Sequence, residues 1–183
     1  RRYMKKVTQN GTVASHERYL YRGYLQIAAL DMLDNRNVLR TLLWDPLEPV
    51  ATRPLALVQD ASLYCYGVDF NKNVSEVFDR EGAVAAIYDY SPYGTATRTG
   101  RLVQPVQWSA EMHDEEPALV YYNYRFYNPK DGRWINRDPI AEQGGWNSYS
   151  FVGNNPIDSF DINGQNAMAR AVPFAAGAAA VDG

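Results

Sequence analysis

The carboxylates are the side chains of this sequence whose types and positions best suit chemistry. Asp114 opens the acidic cluster Asp-Glu-Glu, Asp138 stands between Arg137 and Pro139, and Asp161 begins the run Asp-Ile-Asn-Gly. Two carboxyl groups held close together share a proton, so that one acts as a base on water and the other as an acid toward a carbonyl oxygen. Such a pair hydrolyses peptide bonds. Spacing along the chain does not show which carboxylates meet, and solvated acidic turns explain the same residues.

Other catalytic and metal-binding patterns are missing from the sequence. His16 and His113 are far apart, and no serine lies in a Gly-x-Ser-x-Gly elbow. One cysteine and two isolated histidines do not match zinc-site spacings. Gly144-Gly145 is a lone pair that predicts a turn rather than a phosphate loop. Cys65, in a Tyr-Cys-Tyr run, is expected to pack as a small hydrophobic residue. We therefore expect no cofactor and no metal.

The composition favours a folded β protein. Hydrophobic residues make up 46% of the 183 residues, aromatic residues make up 13%, and 14 residues are Tyr. Tyr suits the half-buried faces of strands, where its ring packs and its hydroxyl reaches water or backbone. The net charge is −3 and no basic stripe is present, so we do not expect a nucleic-acid partner.

Runs of alternating residues between turn residues predict antiparallel strands across residues 16–100. Arg22-Gly23 separates two such runs and predicts a hairpin. Further strands are predicted, each bounded by turn-prone residues, at 37–44, 54–59, 63–66, 74–78 and 83–90. A spacing of about ten residues between strands is typical of a meander or rolled sheet. The predicted fold class is therefore all-β.

An aromatic residue followed by Asp and then Gly occurs twice in this region. Phe78-Asp79 precedes Gly82, and Tyr88-Asp89 precedes Gly94. The pattern resembles the YD repeat of bacterial shell proteins, although two ordinary hairpin turns would look the same.

Residues 114–156 carry an ordered set of motifs. In chain order they are Asp114-Glu115-Glu116-Pro117-Ala118-Leu119, Tyr121-Tyr122, Arg125-Phe126-Tyr127, Gly132-Arg133-Trp134, Arg137-Asp138-Pro139-Ile140, Gly144-Gly145-Trp146-Asn147-Ser148-Tyr149 and Val152-Gly153-Asn154-Asn155-Pro156. This set resembles the Rhs repeat-associated core domain, which closes YD-repeat shells and also occurs in the C subunits of insecticidal toxin complexes. The resemblance implies antiparallel YD-repeat strips forming part of a hollow β shell, with a closing core module, around a C-terminal toxin domain.

The resemblance also implies a self-cleaving site of the aspartyl type. Carried onto this sequence, Asp138 is the lead catalytic carboxylate, Asp114 is its partner, and Arg137 is a nearby charge that tunes the pair. The family cuts just after an Asp-Pro-x-Gly-Leu motif, which here is Asp161-Ile162-Asn163-Gly164-Gln165. The cut would follow Gln165, with Pro156, Asp161 and Gly164 shaping the substrate strand. Ile162 leaves φ free where proline would restrict it, and Gln165 removes an apolar anchor. Two outcomes therefore stay open. The module either closes the shell and cuts itself, or closes the shell without cutting.

Three segments are expected. Residues 1–110 are a YD-repeat-like shell segment, residues 111–165 are the Rhs core module, and residues 166–183, which are Ala-rich, begin a variable C-terminal region. The chain starts at Arg1 and stops within an Ala/Gly run, so we expect a piece of a longer secreted or cell-surface protein, with no signal peptide in this stretch. The expected partners are the protein's own toxin domain beyond Gly183, the rest of the shell, and secretion-system or toxin-complex proteins.

An alternative function is a cell-surface β module for adhesion or carbohydrate binding without catalysis. Exposed Tyr and Trp rings would stack on sugars in such a module. Trp134 and Trp146 lie in the closing motifs, however, and we expect them to be packed.

Overall fold

The computed structural model describes residues 1–47, 52–139, 147–165 and 167–169. Ile140, the motif residues 144–146 and most of the Ala-rich segment lie outside the described residues. The described chain is built of antiparallel strands, which confirms the all-β prediction. The strands are β1 Met4–Gln9, β2 Thr12–Arg22, β3 Leu25–Asp31, β4 Val38–Trp44, β5 Pro54–Gln59, β6 Ser62–Val68, β7 Val74–Asp79, β8 Val84–Tyr90, β9 Ala96–Gly100, β10 Met112–Asp114, β11 Leu119–Tyr122, β12 Arg125–Asn128, β13 Arg133–Trp134, β14 Ser159–Asp161 and β15 Ala167–Ala169.

Strands β1 to β9 form one sheet in which each strand pairs with the next along the chain. The predicted hairpin at Arg22-Gly23 is confirmed, since it joins β2 to β3 and Gly23 adopts a φ of +61°. Strands β4 to β8 fall on the five further runs that the alternation predicted. Short turns and period-two patterns thus produce a meander, as expected for hairpin-connected strands.

One face of this sheet holds the main hydrophobic core. Leu42 on β4, Leu57 on β5 and Val77 on β7 point into it. The segment after β9 crosses this face and contributes Leu102 and Val106, and the second sheet closes it. Burial of these aliphatic side chains stabilises the sheet by about 1.5–3 kcal/mol each.

Cys65 corrects a sequence-based expectation, because its side chain is exposed rather than packed. Its neighbours Tyr64 and Tyr66 pack against the core. Side chains alternate between the faces of a strand, so Cys65 lies on the opposite, uncovered face.

Strands β10 to β13 form a second antiparallel sheet that is buried on both faces. Met112, Tyr121 and Phe126 are cross-strand neighbours and face the main core. The other face carries a second cluster, which contains Trp108, Val120, Tyr122, Tyr127, Trp134, Phe151 and Val152. Trp134 is 1% exposed, so its predicted packing is confirmed.

Strands β14 and β15 form a separate hairpin in which Asp161 pairs with Ala167. Two 3₁₀ turns, Trp108–Ala110 and Val152–Asn154, complete the regular structure of the described residues. Within those residues, no helix is long and apolar enough to span a membrane.

Candidate functional site

The candidate site is built around Arg125, the first residue of β12. Arg125 pairs with Tyr122 across the β11–β12 hairpin. Its guanidinium carbon lies 4.0 Å from the centre of the Trp134 ring, and the residue is 4% exposed. A guanidinium stacked on an indole is held in one plane, so its donors point in fixed directions.

Arg125 joins two of the three carboxylates that the sequence singled out. Its Nη1 lies 2.7 Å from Asp138 Oδ2, and its Nη2 lies 3.4 Å from Asp161 Oδ2. Both aspartates are buried, at 8% and 4% exposure. Two buried like charges repel, and a shared guanidinium offsets that repulsion. The structure therefore places Asp138 and Asp161 at the two terminal nitrogens of the Arg125 guanidinium.

Asp138 is held in place by the chain segment that returns beside β13. The Asp138 backbone N–H donates to the Ser148 carbonyl at 3.1 Å, and the Trp134 N–H donates to the Tyr149 carbonyl at 3.0 Å. Arg133 and Ser150 form a further antiparallel bridge. The Asn-Ser-Tyr part of the family motif thus acts as a backbone support for Asp138.

Asp161 holds the loop 162–165 through its second carboxylate oxygen. Oδ1 accepts the backbone N–H groups of Asn163, Gly164 and Gln165 at 3.1, 2.7 and 3.2 Å. Burial raises the pKa of the Asp161 carboxyl, while these hydrogen bonds and the Arg125 charge act in the opposite direction. The carboxylate therefore lies within hydrogen-bond distance of the residue after which cleavage is expected.

The same loop rests on the β11–β12 hairpin. Arg125 Nε donates to the Gly164 carbonyl at 2.5 Å, and the Tyr124 N–H donates to the Asn163 carbonyl at 3.2 Å. Gly164 has a φ of +85°, and a Cβ there would lie 2.7 Å from the Tyr122 carbonyl oxygen. Only glycine fits this backbone position without strain. Pro156, also predicted to shape the substrate strand, is buried in the turn before β14.

Asp114, the predicted partner of Asp138, lies in a different ionic cluster. It ion-pairs with Arg2, and Lys5 Nζ lies 3.3 Å from its Oδ1. Asp114 pairs with Leu119, whereas Arg125 pairs with Tyr122, three residues further along β11. Three residues of a strand span about 10 Å. Asp161 is thus the carboxylate that shares a cation with Asp138, and the pairing of Asp114 with Asp138 stays a prediction.

Arg137, the predicted tuning charge, is exposed, and its role stays a prediction. The Arg125 guanidinium contacts Asp138. Arg125 belongs to the Arg-Phe-Tyr motif, and the motif by itself indicates no role for it. Arg125 lies in a run of aromatic residues that predicts a strand. A charged side chain buried among aromatic rings needs an oppositely charged partner, so this position was the sequence feature that could have predicted its role.

No family model matches the sequence, but individual relatives do. The chain is 30% identical over 163 residues to the toxin subunit YenC2 of Yersinia entomophaga. The matched region is 86% of this chain and 15% of YenC2. The chain is 35% identical over 101 residues to a double-stranded DNA deaminase toxin A of Burkholderia cenocepacia, covering 51% of this chain and 7% of the toxin. The chain therefore spans a small part of these relatives.

The chain also superposes on a solved structure of the Photorhabdus luminescens Tc holotoxin pore that carries a mutation in TccC3. The superposition covers 94% of this chain and 8% of the solved chain, with a TM-score of 0.70 and 23% sequence identity. At this identity the likeness shows the fold, which is that of an antiparallel β shell. The sequence relatives of this chain are Rhs and YD-repeat toxin proteins.

Proposed function

We propose that this chain is the shell-closing part of a secreted Rhs-type toxin and that it cuts itself after Gln165. The observation that carries the cleavage proposal is the Asp138–Arg125–Asp161 cluster, which touches the loop 162–165 at Asn163, Gly164 and Gln165. Similarity to Rhs-type toxin proteins supports the shell role.

The proposed reaction is hydrolysis of the peptide bond between Gln165 and Asn166. One carboxylate of the pair takes a proton from water, whose oxygen attacks the Gln165 carbonyl carbon. The other carboxyl group protonates the carbonyl oxygen, and the resulting intermediate collapses as the C–N bond breaks. A proton passes to the leaving nitrogen, so the products are a carboxyl group on Gln165 and an amino group on Asn166.

Arg125 has two tasks in this scheme. It keeps Asp138 and Asp161 side by side, because each carboxylate takes one terminal nitrogen of the same guanidinium. It also fixes the Gly164 carbonyl through Nε, which holds the loop against the pair. Holding the reacting groups in place contributes to rate, because orientation then costs nothing at the moment of reaction.

The cleavage proposal is tested on the chain extended by a folded reporter domain after Gly183. We expect a break between Gln165 and Asn166, detected by intact-mass measurement and N-terminal sequencing of the released part. Asp138→Asn and Asp161→Asn are each expected to slow the break by at least about 100-fold, the lower range for a positioned acid or base.

Asp114→Asn is the matched control, since Asp114 is also a buried aspartate in an ion pair. It is expected to leave the cleavage rate within about threefold of wild type, because the Asp114 site lies apart from Arg125. An uncut wild-type chain, or a break that persists in Asp138→Asn, would refute the proposed mechanism.

The shell role is tested separately in the full-length toxin. We expect the region after Gln165 to resist added protease while the β shell is folded and to become sensitive when the shell is denatured. Equal sensitivity in both states would contradict enclosure.

A further inference from the structure

Glu111 is a buried acid that the proposed reaction does not use. It follows the Trp108–Ala110 turn, leads into β10, and is 4% exposed. Its Oε1 is buried and has no hydrogen-bond partner among the described residues. An ionised carboxylate in such surroundings is costly, whereas a protonated one is tolerated.

Glu111 lies next to the candidate site rather than at a distance from it. Met112 pairs with Tyr121, so Glu111 stands beside Tyr122 on the neighbouring strand. Gly164 of the cleavage loop packs against the same Tyr122, whose carbonyl oxygen would lie 2.7 Å from an added Cβ. Tyr122 therefore adjoins both Glu111 and the loop that Asp161 holds.

Polar side chains without partners surround Glu111 on its other side. Tyr21, Gln26 and Glu111 line a cavity of about 10 Å³, which is roughly the space of one water molecule. The Tyr21 hydroxyl and both side-chain polar atoms of Gln26 are buried without a hydrogen-bond partner in the described part of the chain. The described residues that line the cavity thus offer Glu111 polar neighbours, and none of them is basic.

The charges near Glu111 favour its neutral form. Burial raises the pKa of the Glu111 carboxyl well above its ordinary value, and the nearby Asp161 charge raises it further, while a hydrogen bond from Thr52 and the Lys72 charge act in the opposite direction. The titratable and charged groups that face Glu111 from the elements packed against it are Asp161, Lys72, Tyr21, Tyr121 and Tyr122. Arg125, the guanidinium of the site, is already shared between two aspartates.

We propose that Glu111 is a positioning residue that holds a proton beside the Asp138–Asp161 pair and sets the upper pH limit of cleavage. With Glu111 neutral, Arg125 faces two carboxylates. When Glu111 loses its proton, a further buried negative charge acts on Asp161 and weakens the hold of Asp161 on the loop 162–165. The activity part of this inference rests on the proposed function, and the stability part does not.

The sign of the stability effect follows from the protonation states. A carboxyl group that binds its proton more tightly in the folded chain stabilises the fold fully below its ordinary pKa, near 4.3. That contribution is lost as the pH rises toward the raised pKa of the folded state. The side chain in Glu111→Gln has nearly the same shape and stays neutral, so the stability of this variant does not fall with pH for this reason.

The first test compares the melting temperatures of the uncut chain and of Glu111→Gln at pH 5 and pH 9. We expect the variant's melting temperature to rise relative to wild type by at least about 3 °C between these two pH values. Glu115→Gln, at an exposed neighbouring glutamate, is the control and should show no such change. Glu111→Met, a second non-titrating variant, should behave like Glu111→Gln if the proton is the cause. The same change in melting temperature between pH 5 and pH 9 for wild type and both variants would overturn the proposal.

The second test measures the cleavage rate of the extended chain from pH 5 to pH 9. Both rates are expected to fall at the alkaline end as the Asp138–Asp161 pair loses its shared proton. The wild-type rate is expected to fall by about tenfold more than the rate of Glu111→Gln, because ionised Glu111 adds a negative charge beside Asp161. Identical pH profiles would show that Glu111 does not act on the site. If no variant cleaves at any pH, the proposed function fails, and the melting comparison still decides whether Glu111 holds the proton.

Discussion

Arg125 is the residue on which the candidate site depends. Its three nitrogens contact Asp138, Asp161 and the Gly164 carbonyl, and its plane rests on Trp134. A planar guanidinium with five donors can serve three acceptors at once, which the single ammonium of lysine cannot do in the same geometry.

Replacing Arg125 by Met is expected to lower the free energy of unfolding by about 3–5 kcal/mol, because two carboxylates would remain buried without their cation. Urea denaturation at neutral pH measures the change. Arg133→Met removes an exposed arginine from the next strand and should stay within about 0.5 kcal/mol of wild type. A loss below about 1 kcal/mol for Arg125→Met would argue against the buried charge cluster.

Among the elements, the turns share one device, an aspartate at the end of a strand that accepts backbone N–H groups of the turn. Asp69 Oδ1 accepts from Asn71 and Asn73 at 2.7 and 2.8 Å, and Asp79 Oδ1 accepts from Glu81 and Ala83 at 3.2 and 2.9 Å. Asp161 does the same for the loop 162–165. Aspartate suits this role because its short side chain reaches the backbone two residues ahead. The loop 162–165 is thus a variant of the turn that the large sheet already uses.

Gly164→Ala is expected to destabilise the protein by about 2–4 kcal/mol, from the positive φ together with the clash against the Tyr122 backbone. Gly153→Ala has a φ of +64° but nothing within 4 Å of the added Cβ. Its loss in the free energy of unfolding should therefore come from the positive φ alone, and should be about 1–2 kcal/mol. Calorimetric melting of both variants separates the two effects, and equal losses would contradict the close approach of the loop to β11.

The second sheet depends on Phe151, which closes its aromatic face. The Phe151 ring centre lies 4.1 Å from that of Tyr127 and 5.4 Å from that of Trp134. Phe151→Ala is expected to cost about 3–5 kcal/mol in urea unfolding, since the cavity cannot be filled by neighbours. Ile157→Ala, at a residue 63% exposed, is the control and should cost less than about 1 kcal/mol. Similar losses in the two variants would show that the aromatic cluster is not a rigid core.

At the scale of the whole molecule, the large sheet is packed on one face and uncovered on the other within the described residues. Leu43, Val58, Leu63 and Val84 are between 43% and 59% exposed on this open face, and Val58 pairs directly with Leu63. The backbones of β1 and β9 are the two edges of the sheet. An apolar face and free edges favour association between chains.

The chain produced by itself is therefore expected to self-associate as its concentration rises, measured by light scattering. The double variant Val58→Thr, Leu63→Thr should scatter less at the same concentration while keeping its melting temperature within a few degrees, because threonine retains a β-branched shape on the surface. Leu33→Thr, at an exposed turn residue away from the face, should not reduce association. A monodisperse wild-type chain at every concentration would contradict the expectation.

The strands and turns of this protein were determined by its sequence. Strand β5 has the predicted bounds Pro54–Gln59, and the hairpin at Arg22-Gly23 formed as expected. Both follow from local rules, since side-chain alternation and turn chemistry act over a few residues. The likeness to Rhs and YD-repeat toxin proteins likewise rests on motifs that lie in order along the chain.

The pairing of the charges was decided by the tertiary structure. Asp138 meets Asp161 through Arg125, while Asp114 meets Arg2 from the start of the chain, and Arg137 faces solvent. Which carboxylates share a cation depends on strand register and on how the returning segments cross the second sheet. The burial that raises the pKa of Glu111 depends on the same packing. Neither follows from residue type or spacing, because both arise from contacts between residues far apart in the chain.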